Sequence, residues 1–79
     1  MLRKKEPRVV ATFRTTTAAM QTEQAARSQA VRGRLIPVPR AITAGCGLAW
    51  SAPPEAEDAL RALFDRIGVT PQDIHHLTI

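Results

Sequence analysis

Hydrophobic and polar positions alternate or cluster in a way that divides the chain into six elements. Val9-Val10-Ala11-Thr12-Phe13 is a short run rich in β-branched and aromatic residues, which predicts a first strand. Thr15-Thr16-Thr17 then offers hydroxyls for an N-cap, and a helix-forming stretch runs from about Ala18 to Ala30, with Gly33 as its stop. Arg34 to Pro39 predicts a second strand. Its prolines, Pro37 and Pro39, cannot donate ladder hydrogen bonds, so this strand belongs at a sheet edge. Gly47-Leu48-Ala49-Trp50-Ser51 predicts an apolar, central third strand. Pro53-Pro54 opens a second helix, Glu55, Glu57 and Asp58 suit its positive end, and Gly68 stops it. Ala56, Ala59, Leu60, Leu63, Phe64 and Ile67 share an arc of about 140° at about 100° per residue, with Arg61 and Arg66 outside it. Ile74 to Ile79 predicts the last strand.

The order β-α-β-β-α-β predicts an α+β fold of the ferredoxin-like split βαβ type, an antiparallel sheet ordered 4-1-3-2 with two helices on one face. That topology brings three connections to one end of the sheet. Arg14 to Thr17, Arg40 to Cys46 and Val69 to Gln72 should therefore cluster. Cys46 would then face the N-terminal region of the first helix.

With 79 residues, the chain is read as a basic flexible tail, 1–7, followed by one domain, 8–79. So short a domain buries only roughly 60% of its unfolded surface, and a single cysteine rules out an internal disulfide. Pairing through strand 34–39 or the last strand as a homodimer would add stability. Hydrophobic content of 44% and charged content of 23% are ordinary for a globular domain. No apolar run approaches the roughly 18 residues that span a bilayer, and the basic start lacks an apolar signal-peptide segment behind it. The expectation is a cytoplasmic protein whose lone thiol stays free.

A net charge of +4 invites a nucleic-acid reading. The basic residues are scattered beyond the tail, and Phe13, Trp50 and Phe64 are placed as core residues, leaving no stacking platform. Specific nucleic-acid binding is not expected. His75 and His76 would point to opposite faces of one strand, so they cannot chelate one ion, and no metal or cofactor is expected. A Cys-His dyad is disfavoured because the last strand carries both histidines away from the cysteine. Glu23, on the apolar stripe of the first helix, is best read as a boundary residue pairing with Arg27 one turn on.

The candidate chemistry is therefore at Cys46, between Gly45 and Gly47. Helix N-termini and nearby cations stabilise a thiolate. Thr16 and Thr17 at the helix start, with Arg14 and Arg40, are the candidates for that role. Flanking glycines permit close approach of a partner, and successive N–H groups there could form an anion nest. The competing reading is a cysteine that packs as a small hydrophobe.

Phe13-Arg14-Thr15-Thr16, Ala19, Glu23, Leu35-Ile36-Pro37-Val38-Pro39-Arg40 and Cys46-Gly47 together resemble the Se/S carrier protein-like family of small bacterial domains. The resemblance spans roughly residues 8 to 79. The Pro-Val-Pro-Arg and Cys-Gly segments are its most specific part. Ala44-Gly45 stands where the family pattern has serines, and Arg14 where it has a small residue or proline. The resemblance implies a non-enzymatic carrier that holds sulfur or selenium as a persulfide-type adduct on Cys46, with Arg40 and Gly47 beside it. It implies a donor of the desulfurase or selenocysteine lyase type and an acceptor protein as partners. The alternative is a small module that binds an anion or a protein with the end bearing Arg14, Arg40 and Gly45 to Gly47.

Overall fold

The computed structural model describes residues 4–42 and 44–79. Its elements are β1 (Pro7–Thr12), α1 (Thr16–Ser28), β2 (Arg34–Pro37), β3 (Leu48–Ala52), a 3-10 turn (Pro54–Ala56) leading into α2 (Glu57–Ile67), and β4 (Asp73–Thr78). The sheet is antiparallel with order β2-β3-β1-β4, the ferredoxin-like arrangement, so β2 with its Pro37 does lie at an edge, and Pro39 falls just beyond it.

Local chemistry explains where the boundaries depart from the sequence pattern. β1 starts at Pro7, where a proline is tolerated as first residue. β4 extends far enough to pair with it, and Glu6 and Ile79 exchange backbone hydrogen bonds of 3.0 Å each. Two residues read as tail, Glu6 and Pro7, are thus part of the pairing. α1 starts at Thr16 because the Thr15 hydroxyl accepts from the Ala18 N–H at 3.1 Å. It stops well before Gly33: Ala30 takes the left-handed conformation (φ 56°), and the Val31 N–H reaches back to the Ala26 carbonyl at 2.9 Å, a Schellman closure. Gly68 (φ 71°) closes α2 in the same way, with the Val69 N–H donating to the Phe64 carbonyl. β2 ends at Pro37, although the Val38 N–H still donates to the Gly47 carbonyl at 3.1 Å.

Register sorts the strand residues into two sets. Val9, Ala11, Trp50 and Ala52 face the helices and pack with Ala19 and Ala26 of α1 and Leu60, Leu63 and Phe64 of α2. Phe13 and Phe64 meet edge to face, centroids 6.1 Å apart. Ile67 is half-buried, while Ala59, at one margin of the helical arc, is exposed. Val10, Thr12, Ala49 and Ser51 point to the other face, which carries no helix, yet each is buried. Their small side chains lie beneath longer neighbours, as Arg8 shows by bonding Ser51 through both hydroxyl and carbonyl. Among the described residues, no helix is long and apolar enough to cross a membrane.

Candidate functional site

The end of the sheet where β1 stops gathers the three connections. Gln72 donates its backbone N–H to the Thr12 carbonyl at 2.7 Å, which ties the α2–β4 turn to the end of β1. One residue on, the Phe13 carbonyl accepts from the Cys46 N–H at 3.1 Å. The Gly45 N–H donates to the Gln72 side-chain oxygen at 2.9 Å. Two hydrogen bonds from distant segments thus hold the cysteine loop, and the third fixes the turn that bears Gln72.

The sulfur has its own partners. Leu48 donates its N–H to Cys46 Sγ at 3.3 Å, and the Thr16 hydroxyl lies 3.7 Å from it at the start of α1. Cys46 as a residue is 7% exposed and belongs to the core cluster. Gly45 and Gly47 on either side are exposed. Gly45 packs closely on the backbone just past β1: a Cβ there would stand 3.0 Å from the Arg14 carbonyl oxygen and 3.2 Å from its Cα, a tight fit.

Of the residues the sequence singled out, Thr16, Gly45 and the backbone of Arg14 come to Cys46. Thr17 is exposed in the first turn of α1. Arg40 is exposed in the turn closed by the Ile42 N–H on the Pro39 carbonyl, at the far end of the loop. The Arg14, Thr17 and Arg40 side chains make no hydrogen bond or ion pair among the described residues. Gln72 and the Leu48 amide were missed by sequence reasoning. Topology had put Gln72 at this end, but which amide its side chain reaches depends on loop geometry.

Away from this end, Glu23 pairs with Arg27 at 3.8 Å, as its spacing suggested. His75 and His76 oppose Val10 and Val9 and so lie on opposite faces. His76 instead meets Glu57 at 2.7 Å, beside the Arg61 contact at 2.8 Å. The hydrogen bond from His76, and after it that from Arg61, hold the Glu57 carboxyl below the ordinary carboxylate range. No three His, Cys, Asp or Glu side chains gather as a metal site among the described residues.

A sequence model of the family described as "Putative Se/S carrier protein-like" matches residues 8–76. No curated protein and no solved structure matches the chain.

Proposed function

The chain belongs to the Se/S carrier protein-like family, and from that premise we propose that it carries sulfur or selenium on Cys46 as a persulfide-type adduct, without catalysing a reaction of its own. The observation that carries the reading is the polar setting of the sulfur. Cys46 packs within the core cluster, but its sulfur also has the Leu48 N–H at 3.3 Å and the Thr16 hydroxyl at 3.7 Å, polar partners that a purely packing cysteine does not need. Both groups can stay in place when the sulfur bears a negative charge.

Loading is a thiol exchange. The Cys46 thiolate attacks the terminal sulfur of a donor enzyme's persulfide. The donor S–S bond breaks, a Cys46 S–S bond forms, and the donor cysteine leaves as thiolate. The terminal sulfur changes bonding partner with no net oxidation or reduction. A terminal selenium atom moves by the same balance. Passing the atom to an acceptor thiol repeats the step in reverse order. Arg14 and Arg40 supply positive charge around the loop, the start of α1 at Thr16 and Thr17 supplies donors, and the Gly45 and Cys46 N–H groups join them once they release Gln72 and Phe13. The donor is of the desulfurase or selenocysteine lyase type.

Exchange requires Sγ to leave its covered position. The 44–47 segment opens when the Gly45–Gln72 and Cys46–Phe13 hydrogen bonds release, a local step cheaper than unfolding. Iodoacetamide alkylation of the folded protein at neutral pH tests this. Cys46 is expected to react while the fold stays intact. A thiol that reacts only in denaturant would overturn the carrier reading and leave Cys46 as packing.

A further inference from the structure

The sheet face without helices carries an open groove of about 770 Å³ that runs from the N-terminal strand to β2. Four cationic side chains line it, Lys4, Arg8, Arg32 and Arg34, against one acidic side chain, Glu6. None of the four makes an ion pair among the described residues. Arg8 is held flat over the floor: its Nε donates to the Ser51 hydroxyl at 2.9 Å and its Nη2 to the Ser51 carbonyl at 3.3 Å. That grip leaves the rest of the guanidinium fork for an outside acceptor.

We propose that this groove docks an extended acidic segment of a partner protein. Charge complementarity selects the occupant. Four cations without ion-pair partners around Ser51 fit carboxylates spaced along a chain, and desolvating them against a neutral surface would be unfavourable. A second copy of this chain would bring the same four cations into contact with themselves, which works against pairing of this face. Nucleic acid would meet no stacking platform, because Phe13, Trp50 and Phe64 all belong to the helix-side core and Val10, Thr12, Ala49 and Ser51 floor this face.

The groove also points toward the cysteine. It continues past Ile36 to Pro37 and Pro39, and the Val38 N–H is bonded to Gly47 next to Cys46. Residues 34–39 in extended form cover about 20 Å. An acidic segment lying from Arg34 to Pro39 would bring the body of its protein to the Cys46 loop. The docking itself does not depend on any chemistry at Cys46.

The test is fluorescence anisotropy of the full chain with a labelled decaglutamate peptide at low salt. Binding is expected, with a Kd at least tenfold weaker in Arg32→Gln/Arg34→Gln. Arg27→Gln/Arg66→Gln lowers net charge equally on another face and is expected to change Kd less than twofold. Cys46→Ser is expected to bind as the parent does, so failure of the carrier reading would not move this result. Three outcomes overturn the proposal: no binding at low salt, equal weakening by the two double variants, or tighter binding of a decathymidylate of similar charge. Retained circular dichroism of each variant separates loss of the groove from loss of the fold.

Discussion

Gly33 sits between α1 and β2 with φ +135°, a conformation that L side chains rarely adopt. A Cβ there would run into the Trp50 indole nitrogen and stand 2.7 Å from both Trp50 Cε2 and the Ser51 carbonyl oxygen. Ser51 and Trp50 belong to the central strand β3 and are themselves almost fully buried, so neither can yield cheaply. Gly33→Ala therefore combines two costs. The backbone conformation contributes about 1–3 kcal/mol of strain. The overlap with packed atoms contributes about 1–3 kcal/mol more. The sum, about 2–6 kcal/mol, compares with a total stability of about 4–12 kcal/mol for a domain of this length.

Two other glycines supply internal controls. Gly68 also has positive φ (71°) but nothing within reach of a Cβ, so Gly68→Ala should cost only about 1 kcal/mol. Gly47 has neither constraint, and Gly47→Ala should be neutral or stabilise by about 0.4–1 kcal/mol through the unfolded state. The assay is thermal and urea unfolding followed by far-UV circular dichroism and by the fluorescence of Trp50, the one tryptophan. At about 4–8 °C per kcal/mol, Gly33→Ala should lower Tm by at least about 8 °C. A Gly33→Ala protein within about 2 °C of the parent, or one no worse than Gly68→Ala, would refute the close approach of this loop to β3.

Other substitutions read other parts of the account. Ala30 holds a left-handed helix end that glycine adopts freely, so Ala30→Gly should raise urea stability by about 0.5–1 kcal/mol. Gln72→Ala removes the acceptor for the Gly45 N–H, a bond worth about 0.5–1.5 kcal/mol to the closed loop. Alkylation of Cys46 should then speed up by about two- to tenfold, with Tm lower by about 2–12 °C. Glu57 is held ionised in the folded state by His76 and Arg61, so its folded pKa lies below its unfolded one. The stability it contributes is present above the ordinary glutamate value of about 4.3 and is lost as pH falls below it. Urea midpoints measured down through that range should fall less steeply for Glu57→Gln than for the parent.

The fold was legible because its signals are periodic. The β-branched run of β1, the prolines at and just after the end of β2 and the apolar arc of α2 fix strand, edge and helix, and their order fixes the topology. Boundaries were less so, because they depend on single contacts. Thr15 rather than a later threonine caps α1, and Ala30 ends it in a conformation that composition assigns to glycine. The clustering at the Cys46 end followed from topology alone, as the Phe13, Thr16 and Gln72 contacts show. Which groups touch the sulfur did not follow. Leu48 acts through its amide, which carries no sequence signal, and the position of Arg40 depends on the turn at Pro39. The basic groove was hidden for a similar reason: Lys4, Arg8, Arg32 and Arg34 are scattered in sequence and converge only when β1 and β2 flank β3.

The central claim, that Cys46 carries the transferable atom, is tested most directly by intact and tandem mass spectrometry. The protein is incubated with a cysteine desulfurase and L-cysteine, or with a selenocysteine lyase and selenocysteine, then freed of enzyme and alkylated. One added sulfur or selenium atom localised to Cys46, absent from Cys46→Ala and lost on mixing with an acceptor thiol, is the result predicted. A Cys46 that stays unmodified with both donors, although alkylation shows it to be reactive, would contradict the account.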